Sequence, residues 1–110
     1  MPTTIRESDW KILRDLKPEL LDRLCQRILD EVTAVASDPD QAAHAKYLKI
    51  FRLIESRDED VANAFNDLKR SNALFKLATM EHLGLINRDE LARFSQETHD
   101  FLATIKSLGS

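Results

Sequence analysis

The 110-residue sequence has little glycine or proline, with two glycines and three prolines. Valine, isoleucine and threonine are also sparse beside leucine, alanine, glutamate, lysine and arginine. Strands favour β-branched residues and tight hairpins need glycine, whereas helices are built from the second group. We therefore predict an all-α fold, with a single helical domain over residues 1–110 that forms a bundle of four to five amphipathic helices.

Cysteine, strong charge and long apolar runs are also lacking. Cys25 is the only cysteine, which excludes an intrachain disulfide and a thiolate metal cluster, and its position on an apolar stripe predicts a packed thiol. The net charge of −3 supplies no positive field, so nucleic acid is an unlikely partner.

The first nine residues lack a signal-peptide core, and no later run reaches membrane-spanning length. We expect a cytoplasmic protein that does not enter a membrane.

Helix boundaries are indicated by caps and prolines. Thr4 and Glu7 have capping-box spacing, which predicts a first helix. Pro18 suits the first turn of a second helix, and the pattern leaves open whether there are two helices or one kinked at Pro18. Asp38 and Gln41 predict the start of a third helix, again with capping-box spacing. The apolar stripe of this third helix consists of Tyr47, Leu48, Ile50, Phe51 and Ile54.

A fourth helix is predicted from near Asp58 towards Leu83. Gly84 is the expected left-handed terminator, since only glycine adopts that conformation without steric cost. Leu85 is then placed to contact Met80, as is usual after such a stop.

The last helix is predicted to open at Asn87, with Glu90 completing a capping box. Ser95 is a possible restart within it. The apolar rhythm continues past Ser95, which favours one uninterrupted helix.

The apolar stripe of the fourth helix changes face near Lys69 and Asn72. With about 100° per residue, the first half places one set of apolar residues on one side, namely Val61, Ala64, Phe65 and Leu68. The second half places Ala73, Leu74, Leu77 and Met80 roughly 160° away. Three alternatives explain this change. In the first, the helix breaks and Ser71 or Asn72 caps a new one; in the second, the helix is central and different neighbours cover its two halves. In the third, the second apolar face is exposed and binds a partner.

We take the third alternative as the functional hypothesis. It makes the chain a protein-interaction module that buries Ala73, Leu74, Leu77 and Met80 against a second copy or another protein. A homodimer is its simplest form, because most soluble homo-oligomers are two-fold.

Two features offer a nucleic-acid-binding alternative. Lys46, Lys49 and Arg52 form a basic strip on the third helix, and the turn around Gly84 resembles the turn of a helix-turn-helix. A solvated face explains the strip better, because the chain is acidic overall, and two acids after Arg88 oppose entry into DNA.

A third alternative is a small-ligand-binding bundle. Asn72, Thr79 and His82 follow one side of the fourth helix and could line a polar pocket. We favour instead that these groups face water or bond locally, because no nucleophile or second ligand is fixed beside them. His44 and His99 stand elsewhere, without the spacing that puts metal ligands on one helical face. No nucleophile–base pair or phosphate loop is recognisable, so we expect no enzyme, no cofactor and no metal site.

Overall fold

A computed structural model describes residues 4–109 of the chain. Within these residues it contains five helices and no strand, which confirms the all-α fold. The helices are α1 Glu7–Ala36, α2 Ala43–Phe65, α3 Ala73–His82, α4 Arg88–Leu91 and α5 Gln96–Leu108. Among the described helices, none combines the length and the apolar character needed to cross a bilayer.

The first helix, α1, is a single helix of 30 residues that continues through Pro18. Leucines before and after Pro18, including Leu16 and Leu20, are buried on one side of α1, whereas Pro18 lies exposed on another. Packing on both sides of the proline therefore favours one helix over two. The predicted capping box is wrong: the N-cap position belongs to Arg6, and no side chain caps the helix there.

The second helix, α2, begins later and ends later than the sequence suggests. It starts at Ala43, and the Asp38 carboxylate accepts a bond from the Asp40 backbone N–H instead of capping a helix. It then runs through the predicted boundary near Asp58 to Phe65. The absence of a side-chain cap at the start of α2 has little effect on its stability, because the stability of helices in proteins comes mostly from packing.

A loop over residues 66–72 separates α2 from α3, so the region predicted as the fourth helix is divided between two helices. Asp67 takes a left-handed φ of 60°. The Asn72 amide donates to the Asp67 carbonyl and its oxygen accepts from the Lys69 N–H, so this side chain holds the loop closed. The change of apolar face therefore reflects a helix break, one of the three alternatives.

Gly84 ends α3 as predicted, with φ at 68°. The Leu85 N–H bonds to the Met80 carbonyl and the Gly84 N–H to the Glu81 carbonyl, which is the Schellman arrangement. Leu85 and Met80 are both fully buried in the core.

The capping box at Asn87 and Glu90 is present, but the helix that it opens ends at Leu91. The chain restarts at Ser95, whose hydroxyl accepts from the Thr98 N–H. The prediction of one uninterrupted last helix is therefore wrong. The tertiary reason is Asp9 of α1, which binds Ser95 and Thr98 and fixes the start of α5.

Asp9 is a buried carboxylate that joins α1 to α5. It accepts hydrogen bonds from the Ser95 N–H, the Ser95 hydroxyl at 2.6 Å and the Thr98 hydroxyl at 2.6 Å. Burial alone raises the pKa of Asp9, but these hydrogen bonds outweigh it, and the pKa lies below its ordinary value. The negative charge also faces the positive end of the α5 dipole.

Two arginines of α1 bind the turn after α3. Arg23 makes two hydrogen bonds to the Glu90 carboxylate and a third to the Leu85 carbonyl. The Arg23 hydrogen bond is the main reason that the pKa of Glu90 is lowered. Arg27 donates to the carbonyls of Leu83 and Gly84, which are left unpaired at the helix end.

The chain divides into two differently packed regions. We call the first the body: it comprises residues 4–24 and 64–109, and it holds all the buried hydrophobic side chains of the described residues. We call the second the arm: it comprises residues 25–63, where α1 and α2 run antiparallel around the loop at residues 37–42. No residue of the arm is buried. The arm makes the molecule elongated, at 52 × 28 × 25 Å.

Candidate interaction surface

The residues predicted to form the interaction face lie in the core of the body. Ala73, Leu77 and Met80 are fully buried and Leu74 is almost so, packed among side chains of α1 and α5. The prediction that this face is open to a partner is therefore wrong. The break at residues 66–72 turns α3 so that its apolar side meets the rest of the same chain.

The exposed large hydrophobic side chains of the described residues lie mostly on the arm. Leu29 is 57% exposed, Tyr47 63%, Phe51 54% and Ile54 49%. Large apolar side chains at such exposure are unusual when clustered, although a single one is ordinary.

The arm residues lie on one side of the arm. Arg57 of α2 binds Glu31 of α1, so this pair marks the sides on which the two helices face each other. Viewed from the N terminus of α2, Ile54 lies about 60° and Phe51 about 120° around the helix axis from Arg57. In the same rotational sense, Val32 lies about 100° round α1 from Glu31, the partner of Arg57. Because the antiparallel helices are viewed from opposite ends, equal rotations bring both stripes to the same side.

We call this surface the arm face. On α1 it consists of Cys25, Leu29, Val32 and Ala36, and on α2 of Tyr47, Phe51 and Ile54. Cys25 is exposed, so the prediction that it is packed in the core is wrong.

The opposite side of the arm is polar. Lys49 and Arg52 lie about 80° and 140° from Arg57 in the other rotational sense, and both are exposed. Arg27 and Asp30 occupy the corresponding side of α1. The basic strip of the sequence is thus the solvated side of an amphipathic arm, and its third member, Lys46, binds the Ala36 carbonyl at 2.9 Å.

Glu31 and Arg57 join the two helices of the arm. The guanidinium makes bonds of 3.0 to 3.3 Å to both carboxylate oxygens, and this pairing raises the pKa of Arg57. Both side chains are more than a third exposed, so the pair orients the helices more than it stabilises them.

A cleft between α3 and α5 brings together two of the three residues predicted to form a polar pocket. Thr79 and His82 border a cleft of about 430 Å³, whereas Asn72 lies in the loop before α3. Phe75, Leu102 and Ile105 supply its apolar lining, and the Glu81–Lys106 ion pair, at 3.6 Å, lies at its edge. The Thr79 hydroxyl donates to the Phe75 carbonyl of its own helix.

The turn at Gly84 leads into α4, which has only four residues. In a helix-turn-helix the second helix lies in the major groove of DNA. The helix that follows the Gly84 turn, α4, forms only about one turn. Glu90 of α4 is bound to Arg23, so neither side chain faces outward from this turn as a free charge.

Residues 4–109 contain no group of three or more histidine, cysteine or acidic side chains arranged to hold a metal ion. Comparison of the chain with protein-family models, with curated proteins and with solved structures finds no match.

The stripe on α2 was visible in the sequence, but its role was not. Tyr47, Phe51 and Ile54 have helical spacing, which indicates an apolar side without saying what covers it. No local signal in the sequence indicated their exposure, since the spacing is the same whether an apolar stripe is covered or open.

Proposed function

We propose that this chain is a helical protein-interaction module that self-associates through the arm face. It works by binding rather than catalysis, and its place is the cytoplasm, where an exposed thiol such as Cys25 stays reduced. The observation that supports this most is the clustering of Leu29, Tyr47, Phe51 and Ile54 on one side of an arm that has no buried residue.

The uncovered area matches what an interface needs. An aromatic side chain offers about 150–250 Å², and Tyr47 and Phe51 each leave more than half exposed. With Leu29 and Ile54 the arm face presents on the order of 400 Å² of apolar side chain. Two such faces and their polar rims reach about 1,000 Å² in total, where specific interfaces begin.

The shape of the arm also favours a second copy. Two antiparallel helices with one apolar side are half of a four-helix bundle, in which each helix packs against two neighbours. Two arms placed face to face complete such a bundle. Association of this kind supplies the core that the arm lacks in the single chain.

The test is the molar mass in solution, by size-exclusion chromatography with light scattering over a range of concentrations. We expect the wild-type chain to form dimers and Phe51→Asp to be a monomer, because a buried unpaired carboxylate is strongly unfavourable. Leu108→Asp is the matched control: Leu108 is 77% exposed on α5, which is not part of the arm, and the variant should dimerise like wild type. A wild-type monomer at every concentration would falsify the proposal.

The cleft between α3 and α5 favours a second candidate function, the binding of a small amphipathic molecule. Its volume lies in the range of ligand pockets, and it combines apolar walls with His82 and Thr79 at its edge. Screening small aromatic acids by thermal shift tests this, with Phe75→Ala as the variant expected to lose any response. Equal responses of both proteins would place the binding elsewhere.

A further inference from the structure

The α2 stripe continues beyond its apolar part with a regular alternation of three and four residues. Its members are His44, Tyr47, Phe51, Ile54, Asp58, Val61 and Phe65. This is the spacing of a coiled-coil seam. Phe65 is buried in the body and Val61 is partly buried against it, so the seam is covered at one end and open from Asp58 to His44.

The two ends of the open part of the seam lie at equal distances from Phe51. His44 and Asp58 are each seven residues away from Phe51, in opposite directions, which is about 10 Å along the helix. Both side chains are exposed. The His44 and Tyr47 rings stack with centroids 6.4 Å apart, so the histidine shares the side of the tyrosine.

We infer that the second copy binds with its arm antiparallel, so that α2 packs against α2 of the partner with the two-fold axis at Phe51. This rests on the proposed self-association. In this arrangement His44 of each copy lies opposite Asp58 of the other, and the two ends of the seam carry complementary groups. The arrangement with arms parallel instead leaves Asp58 about 21 Å along the arm from His44 of the other copy, so that these groups do not meet.

The length of the arm accommodates the antiparallel arrangement. α2 begins at Ala43, eight residues before Phe51, and the first buried residue after Phe51 is Ala64, thirteen residues on. The start of α2 in one copy therefore lies about 7 Å short of the level of Ala64 in the other. α1 adds a second seam at the same spacing, made of Cys25, Leu29, Val32 and Ala36.

A charge-swap series tests the orientation, with dimer dissociation constants measured by sedimentation velocity. His44→Glu places a carboxylate opposite Asp58 of the partner at both ends, and we expect dissociation to become at least about tenfold easier. The double variant His44→Glu with Asp58→Lys restores opposite charges across the antiparallel seam, so its dissociation constant should return to within about threefold of wild type. Arg52→Glu, on the polar side of α2, is the control that should leave it unchanged.

Each outcome decides between the two proposals. If the double variant dimerises as weakly as His44→Glu, or if His44→Glu dimerises like wild type, the antiparallel arrangement is wrong while self-association stands. If the wild-type chain never dimerises, both proposals fail. Because all substituted side chains are exposed, circular dichroism should show the same helix content in every variant.

Cross-linking provides an independent check. Side chains at a two-fold axis meet their own copies, so Phe51→Cys in a Cys25→Ser background should form an interchain disulfide on mild oxidation. The wild-type Cys25 lies near the base of the arm and should not cross-link, because the antiparallel arrangement separates it from its copy. Efficient cross-linking through Cys25 with none through position 51 would overturn the arrangement.

Discussion

The helix α1 runs through both the body and the arm, yet the two regions differ in how they cover its apolar side chains. In the body, α1 meets α3 and α5, and each apolar stripe finds a partner on more than one side. In the arm, α1 meets only α2, so the side of each helix that faces its neighbour is partly covered and the adjoining apolar side is open. An amphipathic pattern therefore guarantees an apolar side, but the number of neighbours decides whether that side becomes core or surface.

The comparison predicts its largest effect in the body. Leu77→Ala should lower the free energy of unfolding by about 2–5 kcal/mol, because it leaves a cavity at a fully buried position. Leu29→Ala removes the same atoms from the arm and should cost less than about 1 kcal/mol at concentrations too low for association. Urea denaturation at pH 7 measures both, and equal losses would mean that the arm is packed as tightly as the body.

The second effect concerns the buried polar contact of the body. Asp9→Asn should cost about 1–3 kcal/mol, because the new NH₂ group replaces an acceptor and leaves a donor of Ser95 or Thr98 unpaired. The pKa of Asp9 is lower in the folded chain than in the unfolded one, so its stabilisation is complete above the unfolded value near 4 and is lost as the pH falls below it.

Denaturation at pH 7 and at pH 3 checks this sign. The wild-type chain should lose stability between the two, and Asp9→Asn should lose less. Glu90, whose pKa is also lowered, contributes an acid-dependent loss of the same sign that both proteins retain. An unchanged difference between wild type and variant at the two pH values would contradict a carboxylate role for Asp9.

The smallest effect belongs to the arm. Arg57→Gln removes an exposed ion pair with Glu31 and should cost about 0.2–1 kcal/mol. Hydrogen exchange should show the change in amides of residues 25–63 and not in the body, since Glu31 and Arg57 both lie in the arm. Faster exchange throughout the chain would show that arm and body unfold as one unit.

Local signals in the sequence predicted the elements that depend on a few neighbouring residues. Gly84 ends α3 because the left-handed conformation is accessible to glycine, and Asn87 with Glu90 forms a capping box within one turn. The helix break before α3 was among the alternatives, because a stripe that changes sides is compatible with a break.

Boundaries set by distant contacts were missed. The start of α5 at Ser95 depends on Asp9, which is 86 residues away, and the continuity of α1 through Pro18 depends on leucines packing against later helices. Of the three residues predicted to line a polar pocket, Thr79 and His82 border the same cleft, whereas Asn72 binds the loop before α3. Helical periodicity orders side chains around one axis and carries no information about other helices.

The sequence by itself determined the all-α class, the amphipathic stripes and the stop at Gly84, because these follow from residue composition, spacing and the backbone freedom of glycine. Only the tertiary structure decided that Leu74 and Leu77 belong to the core and that Phe51 and Tyr47 belong to the surface. All four lie on apolar stripes that look alike in the sequence. The physical reason is that burial is a property of the neighbours around a side chain, and the fold places three helices around α3 but only one beside the outer part of α2.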